Sequence, residues 1–184
     1  LPPLCYNSHM AARLRAALVG DVVGMQRIIN RFAERGEMLP RALHELYEYL
    51  RDFFVIEEDG EIAACAALHV NWANLAEVKS VAVAEQCQGK GYGRRVVEAC
   101  IEDARRLGVA ELFCLTYQPE FFRKLGFSEV DRNTLPRKVW SECVRCPKFS
   151  NCTEIAMTLR VLEDEAPAPA DPLTALVAMP QRHG

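Results

Sequence analysis

Apolar residues crowd a short run from Ala12 to Leu18 that ends at Gly20-Asp21, after which Val22, Val23, Met25, Ile28, Ile29 and Phe32 recur at helical spacing. The run predicts a strand, and the recurrence predicts an amphipathic helix with Asp21 as its N-cap. Gly36 stops that helix, and Leu43, Leu46, Tyr47 and Leu50 mark a second one after Pro40. Phe53 to Glu57 and Ile62 to Val70 flank Asp59-Gly60, a dipeptide that supplies the positive φ of a tight hairpin turn. Leu75 to Val83 predicts another strand, with Ala76, Val78, Ser80 and Ala82 on one face and Glu77, Lys79, Val81 and Val83 on the other.

From Gly93 to Leu107 the apolar positions Val96, Val97, Cys100, Ile101 and Ala104 return to helical spacing, and Gly108 follows as the stop. Leu112 to Thr116 then predicts a buried strand, Pro119 to Leu125 a short helix ended by Gly126, Phe127 to Val130 the start of a further strand, and Ile155 to Leu162 the last. Strand, helix and strand joined by short links make a parallel crossover, whereas the early hairpin is antiparallel. The expected fold class is therefore α/β of the mixed α+β kind: a central mixed sheet of six to seven strands flanked by about four helices.

Half of the 184 residues are hydrophobic, enough for one core of ordinary size, and one domain over residues 10–162 is expected. Twenty-two Lys+Arg face 25 Asp+Glu, so there is no basic field to hold a nucleic-acid backbone, and no nucleic-acid partner is expected. No apolar run approaches the roughly 20 residues of a membrane helix, and the start lacks the order of a secretory signal. A cytoplasmic protein without a membrane partner is the expectation. It is consistent with Cys65, Cys100 and Cys114 lying inside apolar periodic segments, where a free thiol packs as a small hydrophobe. Ser8-His9-Met10 has the form of a tag-removal scar, so residues 1–9 are set aside and Met10 is the expected natural start. Residues 163–184 form a Pro/Ala-rich tail that builds no core of its own. Its apolar end, Leu173 to Met179, is expected to pack on the domain or on a neighbouring molecule, which leaves a homodimer open.

Gln88-Gly89-Lys90-Gly91-Tyr92-Gly93 falls between the strand ending at Val83 and the helix beginning near Gly93. Glycines there let the backbone curl and aim successive N–H groups outward, and the helix N-terminus adds partial positive charge, which together suit a pyrophosphate. Neither the dinucleotide fingerprint nor the P-loop pattern is matched. The stretch resembles the Gln/Arg-x-x-Gly-x-Gly/Ala signature of the GNAT acetyltransferase superfamily, with Gln88, Gly91 and Gly93 in the defining places. Ala76 to Val83 resembles the strand that precedes that signature, and Phe121-Phe122-Arg123-Lys124-Leu125-Gly126-Phe127 resembles the late helix and strand of the family. The resemblance spans most of residues 12–162 and implies the GNAT fold with its splayed parallel strands. It implies acetyl-CoA as co-substrate, with backbone groups of Val81, Ala82 and Val83 on the pantetheine and acetyl carbonyl. Gln88, Gly89, Lys90, Gly91, Tyr92, Gly93 and Arg94 would hold the pyrophosphate.

Direct acetyl transfer needs a base for the amine, a donor for the developing oxyanion and a proton for the leaving thiolate. Glu77 stands on the strand beside the cofactor positions and is the candidate base; its other reading is an ion pair with Lys79. Many members of the family carry a tyrosine acid in the late helix, at the position Phe122 occupies here, and a phenyl ring cannot donate a proton. Tyr117, at the end of the preceding strand, is the substitute acid or a packing residue, and Phe122 is left as an acceptor contact. Trp72-x-x-Leu75-x-Glu77-Val78-Lys79, Thr116 to Phe122 and Leu135 to Trp140 resemble the short-form N-acetylglutamate synthases. That resemblance implies an amino-acid α-amine as acceptor, L-glutamate first, with Lys79, Arg41 and Lys138 as candidate cationic anchors. Another small amine, a protein N-terminus, or an acyl-CoA sensor without turnover are the alternatives. The insert at residues 131–153 carries Cys143, Cys146 and Cys152, one ligand short of a structural zinc site, so no metal is expected and the thiols read as part of a covering loop.

Overall fold

The computed structural model describes residues 11–135, 146 and 151–162. The 1–9 segment, the tail, Lys138, Cys143 and the stretch from Pro136 to Trp140 lie outside the described residues. The chain order is β1 (Arg13–Ala16), α1 (Val22–Glu34), α2 (Leu43–Glu48), β2 (Phe53–Glu58), β3 (Glu61–Trp72), β4 (Leu75–Val83), α3 (Tyr92–Leu107), β5 (Glu111–Thr116), α4 (Pro119–Arg123), β6 (Ser128–Glu129) and β7 (Ile155–Arg160). The strands lie in one mixed sheet of seven, within the expected six to seven, in the order β1-β2-β3-β4-β5-β7-β6.

Two compact units are distinguished, one made of the chain up to Leu68 with Val78–Cys100, the other of His69–Glu77 with the chain from Ile101 onward. In the first, β1 pairs antiparallel with β2 and β2 with β3, and Asp59 and Gly60 take the left-handed φ of 52° and 82° that close the hairpin. The stripe Val22, Met25, Ile28 and Ile29 on α1 is buried, as are Val55 and Ile56 of β2 and Ala63 to Leu68 of β3. Each fully buried Val, Ile or Met side chain there contributes about 1.5–3 kcal/mol. The helix lies close to the sheet at Gly24, where a Cβ would stand 2.9 Å from Ile62 Cγ1.

Asp21 stands at the N-cap position of α1, as expected, but does not cap it with its side chain. It accepts instead the Leu18 N–H at 2.7 Å and two bonds from the Arg15 guanidinium at 2.5 and 3.0 Å. Arg15 also donates to Glu57 at 2.7 and 3.1 Å, tying β1 to β2. The partner on β1 wins because the Arg15 guanidinium brings a full positive charge and two N–H donors to the carboxylate, more than a backbone N–H of the helix start offers. Burial pushes the Asp21 carboxyl up, but the bonds from Arg15 and Leu18 outweigh it and hold the group below its ordinary value.

In the second unit β5 is central. It pairs with β7 antiparallel over six residues from Glu111↔Arg160 to Thr116↔Ile155, and β6 adds two pairs to the far side of β7. Its parallel ladder with β4 has three pairs, Leu75↔Glu111, Ala76↔Leu112 and Glu77↔Phe113. Leu75, Phe113, Leu135 and Ala156 form a core with Leu115 and Val130 packed on it.

Candidate active site

The donor loop occupies the link from β4 to α3. A 3-10 turn at Glu85–Cys87 lifts the chain off the sheet, and Gly89 and Gly91 both adopt φ of 79°. A residue with a side chain takes that φ only under strain, and glycines there leave the backbone open to close approach by a ligand. Arg95 N–H donates to the Gly91 carbonyl at 3.2 Å, which starts the sixteen-residue α3. The two side chains expected to add charge at a phosphate have acidic partners: Lys90 Nζ stands 2.8 Å from Glu58 Oε2, and Arg94 Nε 2.6 Å from Glu98 Oε1. Tyr92 is buried, with its hydroxyl donating to Glu58 Oε1 at 2.6 Å. Gln88 is exposed.

β4 carries the next group. Its alternation holds in the burial of Ala76, Val78 and Ala82 against half-exposed Glu77, Lys79, Val81 and Val83. Ser80 interrupts it with φ of 52°, a left-handed residue inside a strand, at a cost of about 1–3 kcal/mol that the neighbouring packing has to offset. Ala82 is 3% exposed. The Ser80 carbonyl accepts the Cys65 thiol at 3.7 Å, and burial pushes that thiol up to about 12.

Arg41 is brought to β4 by a clamp on its own backbone. Asn30 Oδ1 accepts the Arg41 N–H at 2.8 Å, and Asn30 Nδ2 and Gln26 Nε2 each donate to the Arg41 carbonyl at 3.1 Å. Its Nε then donates to Ser80 Oγ at 3.3 Å. Lys79, the next residue along, places its Nζ 5.9 Å above the Tyr49 ring. Of the cations expected to anchor an acceptor, Lys79 thus belongs to β4 and Arg41 bonds to the residue that follows it, Ser80.

On the other unit, Glu77 ends the three-pair ladder with β5 opposite Phe113. Tyr117 follows β5 in a turn fixed by Gln118 N–H donating to Thr116 Oγ1 at 2.8 Å. Burial, and after it the negative charge of Glu154 with the Cys152 and Cys146 thiols, holds the Tyr117 phenol above its ordinary value. It therefore keeps its proton at neutral pH and can donate it. Phe122 is 5% exposed and packs edge-on against Phe121 and Phe127, with centroids 5.0 and 5.2 Å away. Its position is that of a packing residue, which explains why a phenyl ring suits it. Burial, with the charges of Glu77 and Glu154, likewise pushes the Cys114 thiol up. Among the described residues no three His, Cys, Asp or Glu side chains converge on a metal position.

Sequence reasoning did not single out Glu58, Gln26, Asn30, Tyr49 or Glu154. Only Glu58 carried a signal, as an acid next to a hairpin turn; the others act through contacts between elements far apart in sequence.

Residues 22–127 match the acetyltransferase (GNAT) family. An uncharacterized N-acetyltransferase of Chlorobaculum tepidum is 38% identical over 144 residues, covering 78% of this chain and 93% of the relative. An amino-acid acetyltransferase of Mycobacterium tuberculosis is 33% identical over 135 residues, covering 72% of this chain and 77% of the relative. The crystal structure of N-acetylglutamate synthase from Neisseria gonorrhoeae, complexed with coenzyme A and N-acetyl-glutamate, superposes with a TM-score of 0.75 at 27% identity, covering 82% of this chain and 35% of that one. A glycine loop opening a long helix, a strand broken by a left-handed residue beside it and these matches agree: the chain belongs to the GNAT acetyltransferase family.

Proposed function

We propose that the chain transfers the acetyl group of acetyl-CoA to the α-amine of an amino acid, and that the acceptor is L-glutamate, the N-acetylglutamate synthase reaction that opens arginine biosynthesis in the cytoplasm. The observation that carries the acceptor is the placement of Arg41, clamped by Gln26 and Asn30 onto Ser80, next to Lys79. A dicarboxylate needs such cationic partners, and a planar guanidinium suits a carboxylate. The names of the Mycobacterium and Neisseria relatives support the same reading.

In this mechanism the pyrophosphate rests on the backbone N–H groups of residues 88–94, and the backbone of Val81 and Val83 holds the pantetheine and acetyl carbonyl. Glu77 takes the ammonium proton, directly or through water, and the amine nitrogen attacks the carbonyl carbon. A backbone N–H of β4 stabilises the oxyanion. As the C–S bond breaks, Tyr117 gives its proton to the leaving sulfur and the attacking nitrogen loses its second proton to the resulting tyrosinate or to water, so that N-acetylglutamate and free CoA thiol result. Incubation with acetyl-CoA and a panel of amino acids, following thiol release, tests the proposal; release with none of them above the blank, while CoA still binds, leaves an acyl-CoA sensor as the reading. The packing of Phe122 where many relatives place a tyrosine is the feature that favours that second reading.

A further inference from the structure

A negatively charged side chain stands at the loop assigned to the most negatively charged part of the donor. Glu58 is the last residue of β2, on the hairpin closed by Asp59 and Gly60, with Val55 and Ile56 of its strand fully buried. Its carboxylate accepts three hydrogen bonds from one six-residue stretch: Lys90 Nζ at 2.8 Å and Cys87 Sγ at 3.4 Å on Oε2, and the Tyr92 hydroxyl at 2.6 Å on Oε1. Lys90 Nζ and Arg95 Cζ also lie over the Tyr92 ring, 5.8 and 5.7 Å from its centroid. The Arg95 guanidinium in turn donates to the Ala12 carbonyl at 3.4 Å. All these residues belong to one unit.

The stretch between Cys87 and Tyr92 contains two left-handed glycines, the residues that lose most conformational freedom on being ordered. Left to itself such a loop would have to be ordered by the ligand, at the expense of affinity. Three bonds to one carboxylate on a rigid hairpin order it beforehand. They also engage the Lys90 ammonium, so the attraction for a phosphate comes from backbone N–H groups and the start of α3.

We propose that Glu58 is a positioning residue for the donor loop: it holds Cys87, Lys90 and Tyr92 in the shape that receives the pyrophosphate, without itself touching the CoA. The proposal rests on residues 88–94 being the CoA cradle. It opposes a simpler expectation, in which Lys90 binds phosphate directly and Glu58 merely competes for it, because the two predict opposite signs when the carboxylate is removed.

The test is Glu58→Gln, with Tyr92→Phe as a second variant that removes a single bond and leaves the charge. Calorimetry with CoA should show affinity falling about tenfold in Glu58→Gln and less in Tyr92→Phe. KM for acetyl-CoA should rise in parallel while kcat at saturating acetyl-CoA and KM for the acceptor stay within about twofold. Lys90→Met should weaken CoA binding in the wild-type background and add nothing in Glu58→Gln, as groups acting through one partner do. Unchanged or tighter CoA binding in Glu58→Gln overturns the proposal, as does a Lys90 effect that survives there. Amide exchange of the unliganded protein gives an arm that needs no CoA: residues 87–92 should exchange faster in Glu58→Gln, and unchanged exchange overturns the proposal. Wild-type protein that fails to bind CoA while this arm succeeds would place the error in the donor assignment.

Discussion

Glu77 is asked to accept one proton from an ammonium group, and the substitution that isolates this task is Glu77→Gln, which keeps the shape and removes the basicity. At neutral pH kcat should fall about 10²-fold with CoA affinity unchanged by calorimetry. A turnover number that barely moves would return the proton to solvent and leave Glu77 a structural role. Tyr117→Phe is the companion, because the phenol keeps its proton by burial and by the charge of Glu154. Asp21 offers a pH prediction of a different kind. Its folded value lies below the ordinary one, so its bonds to Arg15 and Leu18 add stability that is fully present above the unfolded carboxylate value and lost as pH falls through the folded one. Asp21→Asn should therefore be less stable than wild type in urea at pH 7, by about 1.5–3 kcal/mol. The gap should begin to close below about pH 4, where the unfolded carboxylate protonates, and vanish only once pH has fallen through the lower folded value; a gap that persists below that would mean the site depends on shape and not charge.

At the scale of elements, the order of strands and helices was legible because a one-sided element such as α1 reports its buried face in the period of its apolar residues, while β3, buried on both faces from Ala63 to Leu68, reads as a continuous apolar run. Val22, Met25, Ile28 and Ile29 announce α1, and Asp59-Gly60 announces the hairpin, since both signals are local. The glycine loop proposed to receive the donor has a local signal too, since the backbone takes a positive φ at Gly89 and Gly91. What escaped depends on partners distant in the chain. Ser80 has no residue-type signal for a left-handed conformation, and Asp21 reads as a cap until Arg15 competes for it. Gln26 and Asn30 look like the solvated face of α1 until Arg41 arrives between them. The loop itself can be tested through Gly91, where φ of 79° makes any side chain strained even though the space beyond is open. Gly91→Val should weaken CoA binding at least about tenfold, through strain and through the bulk a β-branched residue sets before the pyrophosphate. Unchanged affinity by calorimetry would place the cradle elsewhere in the molecule.

For the molecule as a whole, the choice of acceptor is where family membership stops being informative and charge takes over. A backbone cradle and a base treat all α-amines alike, so discrimination has to come from side chains that meet the rest of the amino acid. Lys79 and Arg41 offer a side-chain carboxylate a charge-assisted bond that an uncharged residue of similar size forgoes, a difference of roughly 1.5–3 kcal/mol. Glutamate should therefore exceed leucine and methionine in kcat/KM by about 10- to 150-fold, and Lys79→Met should erase most of that gap. Glutamine decides the matter most sharply, because it matches glutamate in shape and lacks only the charge. If glutamate wins and the Lys79 variant levels the two, the cationic reading stands. If glutamine is the better substrate, the acceptor site reads an amide; a preference for glutamate that survives in Lys79→Met moves the anchor to Arg41 or Lys138.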